Sequence, residues 1–279
     1  MGWPVLHSRS PAIHTHWIRE HGLCGDYVLL PVQPDDLPKA LQGLKALGFA
    51  GCNLTIPHKV AAMAWVDKID PLAQRIGAIN TVVVRDGQLI GYNTDAYGYI
   101  QSLLEIAPDL PAKITAAPVT VLGAGGAARA ILAALAEQNA KEIRITNRSA
   151  DTGLRLAEEF AALFPKTQWK ALPWEQRNKA LADCALLVNT TSLGMHGQPA
   201  LDIALDALPS KALVSDIIYT PLETPLLAAA KAQGHATVNG LGMLLHQARP
   251  AFEHWFGIKP EVTGGLRQSI EATLDKSAR

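Results

Sequence analysis

The sequence predicts an α/β protein in two parts, a mixed-sheet part followed by a doubly wound part. Three observations carry that expectation. Strand and helix patterns alternate from end to end of the chain. Asp86-Gly87 separates two apolar runs, a hairpin signal that makes the first sheet mixed rather than purely parallel. A third apolar run leads directly into a glycine-rich loop at Gly123 and then into a helix pattern. The 279 residues suit two domains at roughly 150 residues each.

Taken in order, residues 11–21 read as a helix with Ser10 as N-cap and Pro11 at its first position. Residues 26–32 read as a strand, 35–47 as a helix closed by Gly48, and 49–54 as a short strand. Pro57 opens a helix expected to run to about Val66. Residues 78–85 and 88–92 form the hairpin strands, and a helix begins near Ala96. Pro108, Pro111 and Pro118 mark the expected linker. Beyond it come a strand at 119–122, a helix at 125–138 and a strand at 142–146. Leu156, Phe160, Leu163 and Phe164 then mark a helix face, and 185–188 and 212–218 read as buried strands. The last helix is expected to start near Gly240, with Leu241, Leu245, Ala248, Phe252 and Trp255 as its apolar stripe. Gly240, Met243 and Gln247 fall on a neighbouring face of the same helix.

Lys plus Arg and Asp plus Glu both number 25, so the formal charge is zero. That balance opposes a nucleic-acid partner, which calls for a basic excess. Cys24, Cys52 and Cys184 are odd in number and widely spaced, which fits a reducing compartment and neither a disulfide framework nor a zinc site. No apolar run reaches the ~20 residues of a membrane helix, and His7, Arg9 and His14 sit where a signal peptide would be apolar. The expectation is a cytoplasmic protein with a small-molecule substrate, no nucleic-acid or membrane partner, and a monomeric or homodimeric state.

The loop Gly123-Ala124-Gly125-Gly126-Ala127-Ala128 fits G-x-G-x-x-[GA]. Its first glycine allows the tight turn, its second lets backbone approach a pyrophosphate, and Ala128 allows close helix–strand contact. The amides that open the next helix then point at phosphate. The following strand ends at Asn147-Arg148, where an NAD site would carry an acid for the ribose hydroxyls. An arginine there can stack on adenine and pair with a 2′-phosphate, which favours NADP; a solvated surface arginine is the plainer alternative.

Four polar clusters lie at element boundaries in the first part: His7-Ser8-Arg9-Ser10, Asn53 through Lys59, Asn80-Thr81, and Asn93-Thr94-Asp95. Lys59 falls in the first turn of a helix, where the dipole opposes a cation, so stability alone does not select it. An amine so placed suits proton transfer, although a solvated lysine reads equally well on this feature alone. Asp95 is either a helix N-cap or the partner of a cation, and the two roles are compatible. Ser10 has the same ambiguity, since helix-terminal hydroxyls also suit a substrate carboxylate. Ser8 could be a simple turn residue. Asn80, in an apolar strand, needs hydrogen-bond partners. His14 and His16 lack a third metal ligand, so no metal is expected.

These clusters resemble the shikimate dehydrogenase family. The resemblance rests on Pro4 through Pro11, Asn53 through Lys59, Gly77 through Thr81, Gly91 through Asp95, the glycine loop, Asn147-Arg148, Asn189 through Met195, and Gly240 through Met243, which follow in order along nearly the whole chain. It implies a mixed-sheet substrate-binding domain from residues 1–100 and 239–279, a Rossmann-like NADP-binding domain from 101–238, and a cleft between them. It implies reversible reduction of 3-dehydroshikimate to shikimate with NADPH, a step of chorismate and aromatic amino acid biosynthesis. By that likeness Lys59 is the acid/base, paired with Asp95. Ser8, Ser10 and Tyr219 hold the substrate carboxylate, and Thr55, Asn80, Asp95 and Gln247 hold the ring hydroxyls. Gly123, Ala124, Gly125, Gly126 and Ala127 hold the pyrophosphate, Asn147 and Arg148 the adenosine phosphate, and Ile217 and Gly240 bracket the nicotinamide.

Three departures from the family pattern matter. Thr15 replaces the usual asparagine after His14. Asp151 and Thr152 stand where a second basic residue is common, which implies a looser 2′-phosphate clamp. Met1-Gly2 opens the chain close to the first motif, so the first strand is short or the start lies upstream. Two rival readings remain. A quinate/shikimate dehydrogenase using NAD is opposed by Asn147-Arg148 and Ser10. A silent NADP-binding regulator on the same fold is opposed by the retained Lys59 and Asp95.

Overall fold

In the computed structural model, residues 1–275 are described. They form two compact units, Met1–Gly98 with the chain from Leu245 onward, and Tyr99–Leu244.

The first unit starts with α1 (Ser10–Glu20), α2 (Leu37–Ala46), β1 (Gly51–Asn53) and α3 (His58–Ala61). It continues with β2 (Lys68–Ile69), α4 (Pro71–Ile76), β3 (Thr81–Arg85) and β4 (Gln88–Tyr92). The sheet order is β1-β3-β4-β2. β3 is antiparallel to both β1 and β4, whereas β2 runs parallel to β4, so the sheet is mixed as expected. Asp86 and Gly87 turn the hairpin with φ of 51° and 70°, the left-handed pair that a tight two-residue turn requires. Leu37, Leu41 and Leu44 of α2 recur at helical spacing and pack with Leu54, Ile79, Val82 and Leu89 in one apolar core.

Several local expectations are corrected. Ser10 is the first helical residue of α1, not its cap; the N-cap is Arg9, and the Ser10 amide donates to Ser8 Oγ at 3.3 Å. Residues 26–32 form no strand. Their one pairing is a single parallel bridge between Gly2 and Pro31, and Pro31 has no amide with which to extend a ladder. The helix opened by Pro57 stops at Ala61, and a 3-10 turn, Ala62–Trp65, follows it. The strand expected from residue 78 begins at Thr81.

α5 (Asp95–Ile106) carries residues of both units. The proline-rich segment expected as a linker is instead α6 (Leu110–Ala116), with Pro111 in the first turn, where no intrahelical amide is needed. Next come β5 (Val119–Leu122), α7 (Gly126–Glu137), β6 (Glu142–Asn147), α8 (Ala150–Leu163) and β7 (Gln168–Pro173). β8 (Leu186–Asn189), β9 (Leu213–Asp216), α9 (Pro225–Ala232) and β10 (Thr237–Val238) complete the second unit's sheet, ordered β10-β9-β8-β5-β6-β7 and parallel throughout. β5, β8 and β9 are buried along their whole length, which is why they read as unbroken apolar runs. The chain crosses from β5 and β6 to the other side of the sheet at β8, and that reversal places β5 beside the switch point of a doubly wound fold.

α10 (Gly240–Phe256) follows, and it is not the last helix: α11 (Gly264–Asp275) packs against α1. Trp17 of α1 donates its indole N–H to Glu261 O at 3.0 Å and meets Phe252 edge-on. Among the described residues no helix is long and apolar enough to cross a membrane.

His14 of α1 is fully buried, stacked on Tyr27 at 4.4 Å, and near Trp17, Phe252 and Trp255. It is a core histidine, and no metal cluster occurs among the described residues. Desolvation pushes its pKa from 6.5 down to about 3. Below pH 6.5 the unfolded chain therefore takes up a proton at His14 that the folded chain refuses. Stability should fall by up to about 1.4 kcal/mol per pH unit from 6.5 toward 3. Urea titrations of the native chain and His14→Phe across that range should show the native chain losing stability relative to the variant as pH drops; parallel curves would contradict this origin.

Candidate active site

In the first unit the hairpin assembles the polar clusters. The Asn80 amide N–H donates to Tyr92 O at 2.9 Å, so Asn80 faces the residues that leave β4. The Lys59 carbonyl accepts from Ile79 N at 2.9 Å, which ties α3 to the same place. Lys59 Nζ then reaches Asp95 Oδ2 at 2.6 Å. The two side chains are 24% and 10% exposed, so the pair is largely withdrawn from water and is stronger than a surface ion pair.

Asp95 begins α5 but does not cap it. The cap is Asn93, whose Oδ1 accepts from the Asp95 and Ala96 amides at 3.1 and 3.4 Å. That leaves both carboxylate oxygens of Asp95 for side chains. Asn80 Nδ2 donates to Asp95 Oδ1 at 2.8 Å, to Thr94 Oγ1 at 3.0 Å and to Gln247 Oε1 at 3.3 Å. Thr94 N in turn donates to Asn80 Oδ1 at 2.8 Å, which fixes which way the amide faces. The structure thus joins Lys59, Asp95, Asn80 and Gln247 in one buried, charge-assisted network.

Ser8 and Ser10, both half-buried, hydrogen-bond each other at 3.3 Å. Thr55, also half-buried, is held by its amide bond to Met1 O at 3.0 Å. Tyr219 belongs to the second unit and is half-buried in the segment after β9.

Several groups here escape the sequence reading. Tyr27 donates to Asn53 Oδ1 at 2.8 Å, although the segment around it reads as a strand. Gly98 belongs to no motif, yet a Cβ on it would meet Gln247 N at 2.6 Å, so only glycine lets α5 pass this close to α10. The signal that points to it is its place three residues after Asp95, on the same side of a helix that already carries a candidate site residue.

In the second unit, β5 ends in the glycine loop. Gly123 has φ of +107°, and a Cβ there would meet Thr190 Oγ1 at 2.6 Å. Gly125 caps α7 with no side-chain hydrogen bond, and nothing lies within 4 Å of a Cβ on Gly125 or Gly126. The loop therefore presents backbone amides to open space at a helix N-terminus. Ala127 is half-buried beside it, as is Ala124. Asn147 ends β6 and bonds Ser149 O at 3.0 Å, and the next residue, Arg148, is exposed. These residues fit a dinucleotide phosphate chain with a cation beside the adenosine end.

Asp216 ends β9, fully buried, and it too escapes the sequence reading; the clue is an acid inside an apolar run. It accepts from Thr224 Oγ1 at 2.8 Å and from Ile218 N and Asn189 Nδ2, both at 3.1 Å. Burial pushes its carboxyl above the usual range, against those bonds. The Asp216 bonds fix the backbone on which Ile217 sits, and the Gly240 amide donates to Ile218 O at 2.9 Å beside it.

The chain matches three family models: "Shikimate dehydrogenase substrate binding domain" over residues 1–82, "Shikimate / quinate 5-dehydrogenase" over 105–196, and "Shikimate 5'-dehydrogenase C-terminal domain" over 240–267. A shikimate dehydrogenase (NADP(+)) of Paramagnetospirillum magneticum is 51% identical over 271 residues, covering 97% of this chain and 96% of the relative. The crystal structure of shikimate 5-dehydrogenase from Thermus thermophilus in complex with NADP(H) and shikimate is 37% identical, with a TM-score of 0.83 and coverage of 99% and 97%. Quinate dehydrogenase from Corynebacterium glutamicum in complex with NAD is 28% identical, with a TM-score of 0.90 and coverage of 97% and 96%. With like sequence along nearly its whole length and like folds in both units, the chain belongs to the shikimate dehydrogenase family.

Proposed function

We propose that this chain catalyses the NADP-dependent, reversible reduction of 3-dehydroshikimate to shikimate, with Lys59 as the acid/base and Asp95 as its partner. The observation that carries the reading is the 2.6 Å contact of Lys59 Nζ with Asp95 Oδ2 inside the Asn80–Gln247 network. Residues 1–100 and 239–279 take the substrate, and residues 101–238 take the cofactor. A cytoplasmic location agrees with three free cysteines.

Bound NADPH supplies the hydride. As the substrate carbonyl carbon becomes tetrahedral, its oxygen gains negative charge, and the Lys59 ammonium stabilises that charge and gives up a proton to it. Lys59 is left neutral and regains its proton from water. Asp95 holds Nζ in place, and Asn80 holds Asp95. Ser8 and Ser10 donate hydroxyl hydrogens to the substrate carboxylate, while Thr55, Asn80, Asp95 and Gln247 meet the ring hydroxyls. Such positioning supplies orientation that free reactants lack.

The loop Gly123 through Ala127 would hold the pyrophosphate, and Asn147 and Arg148 the 2′-phosphate side. Ile217 and Gly240 would border the nicotinamide. Arg148→Asp is expected to raise KM for NADP by about 10–100-fold and to leave that for NAD within a few-fold, because it sets a carboxylate against the 2′-phosphate. Equal effects on both cofactors would contradict the role given to Arg148. The reaction itself is tested by adding 3-dehydroshikimate to the chain with NADPH. One NADPH should be consumed per shikimate formed, and no consumption contradicts the reading.

A further inference from the structure

Tyr27 lies outside the machinery assigned so far, yet its hydroxyl heads a chain of hydrogen bonds with a single direction. The phenol donates to Asn53 Oδ1 at 2.8 Å. Because that oxygen is taken, Asn53 must turn Nδ2 the other way, where it donates to Thr81 Oγ1 at 2.9 Å and Asn80 O at 3.2 Å. Thr81 Oγ1 accepts there and donates its own hydrogen to Asn80 Oδ1 at 3.1 Å. Asn80 then turns its own Nδ2 to Asp95 Oδ1 at 2.8 Å, and Asp95 Oδ2 faces Lys59. Beyond Tyr27 each group accepts from one side and donates to the other, so the phenol hydrogen orders the Asn53 amide and the Thr81 hydroxyl and works with the Thr94 amide to hold Asn80 facing Asp95.

We propose that Tyr27 is a positioning residue for the reaction, and that its hydroxyl, through Asn53, Thr81 and Asn80, orients the Asp95 carboxylate against Lys59. The inference rests on the acid/base reading of Lys59. The ring of Tyr27 is itself held, stacked 4.4 Å from His14 with only 4° between planes. Burial raises the ionisation of the phenol above its usual range, so it stays a donor throughout the working pH range.

Tyr27→Phe keeps the ring and its stacking and removes only the hydroxyl. It should lower kcat about tenfold while KM for shikimate and the Kd of NADP stay within about twofold, since geometry at the acid/base is lost and not ground-state binding. Thr81→Val should give the same split and Thr81→Ser should restore it. In the double variant Tyr27→Phe, Thr81→Val the kcat should be no lower than in Thr81→Val alone, because both cut one chain. A wild-type kcat in Tyr27→Phe, a Thr81→Ser as slow as Thr81→Val, or losses that multiply in the double variant each overturn the proposal. Lys59→Ala run alongside separates the two readings: wild-type turnover there removes the acid/base role itself, whereas an inactive Lys59→Ala with a fully active Tyr27→Phe removes only the relay.

Discussion

Lys59→Ala is expected to lower kcat by about 10²–10⁴-fold, the range that a positioned proton donor contributes. Its amine sits 2.6 Å from the Asp95 carboxylate and its backbone is pinned by Ile79, so the donor is held in one place as proton transfer requires. NADP binding should survive, because Gly123 through Ala127 and Arg148 belong to the other compact unit. The fold should survive as well, since α3 keeps its backbone bond to Ile79 and Asp95 keeps the hydrogen bond from Asn80. Steady-state rates with shikimate, together with a cofactor titration, check this. A silent regulator would bind NADP and show no turnover in the native chain, so nothing would be left for the substitution to remove.

Gly240→Ala should be strongly destabilising. A Cβ there would lie 1.9 Å from Ile217 O and 2.4 Å from Ile217 C, both backbone atoms that cannot rotate away. Gly240 N is tied to Ile218 O at 2.9 Å, so relief of the clash breaks the bond that starts α10. Ordinary overpacking costs about 1–3 kcal/mol. Here a loss of about 3 kcal/mol or more is expected, with a fall in Tm of about 6–12 °C. Thermal unfolding measures it directly, and a Tm within about 2 °C of the native value would contradict the geometry. Gly125→Ala makes the contrast: nothing lies within 4 Å of its Cβ, so its Tm should hold while KM for NADP rises.

What the sequence made legible were the features written in adjacent residues. Asp86-Gly87 named the hairpin, and that hairpin sets Asn80 across from Asn93 through Asp95. The run into Gly123 named β5, the loop and α7 nearly to the residue. Features that depend on distant partners did not show. Tyr27 gains its place from Asn53, 26 residues away, and its segment reads as a strand because its residues are apolar, although Pro31 leaves only a single bridge. The proline-rich segment reads as a linker because proline breaks helices, but at the first turn of α6 it does the opposite. Ser10 and Asp95 read as caps because their type and position allow it, while Arg9 and Asn93 occupy those places. Gly98 and Gly240 are read correctly only once the backbone each one meets is known.

The most direct test of the proposed activity is the initial rate of the native chain with shikimate or quinate, each with NADP or NAD. Fast turnover is expected with shikimate and NADP, with quinate and NAD both much slower. Comparable rates with quinate and NAD would contradict the roles given to Ser10 and Arg148, and no turnover with any pair, despite NADP binding, would contradict the enzyme itself.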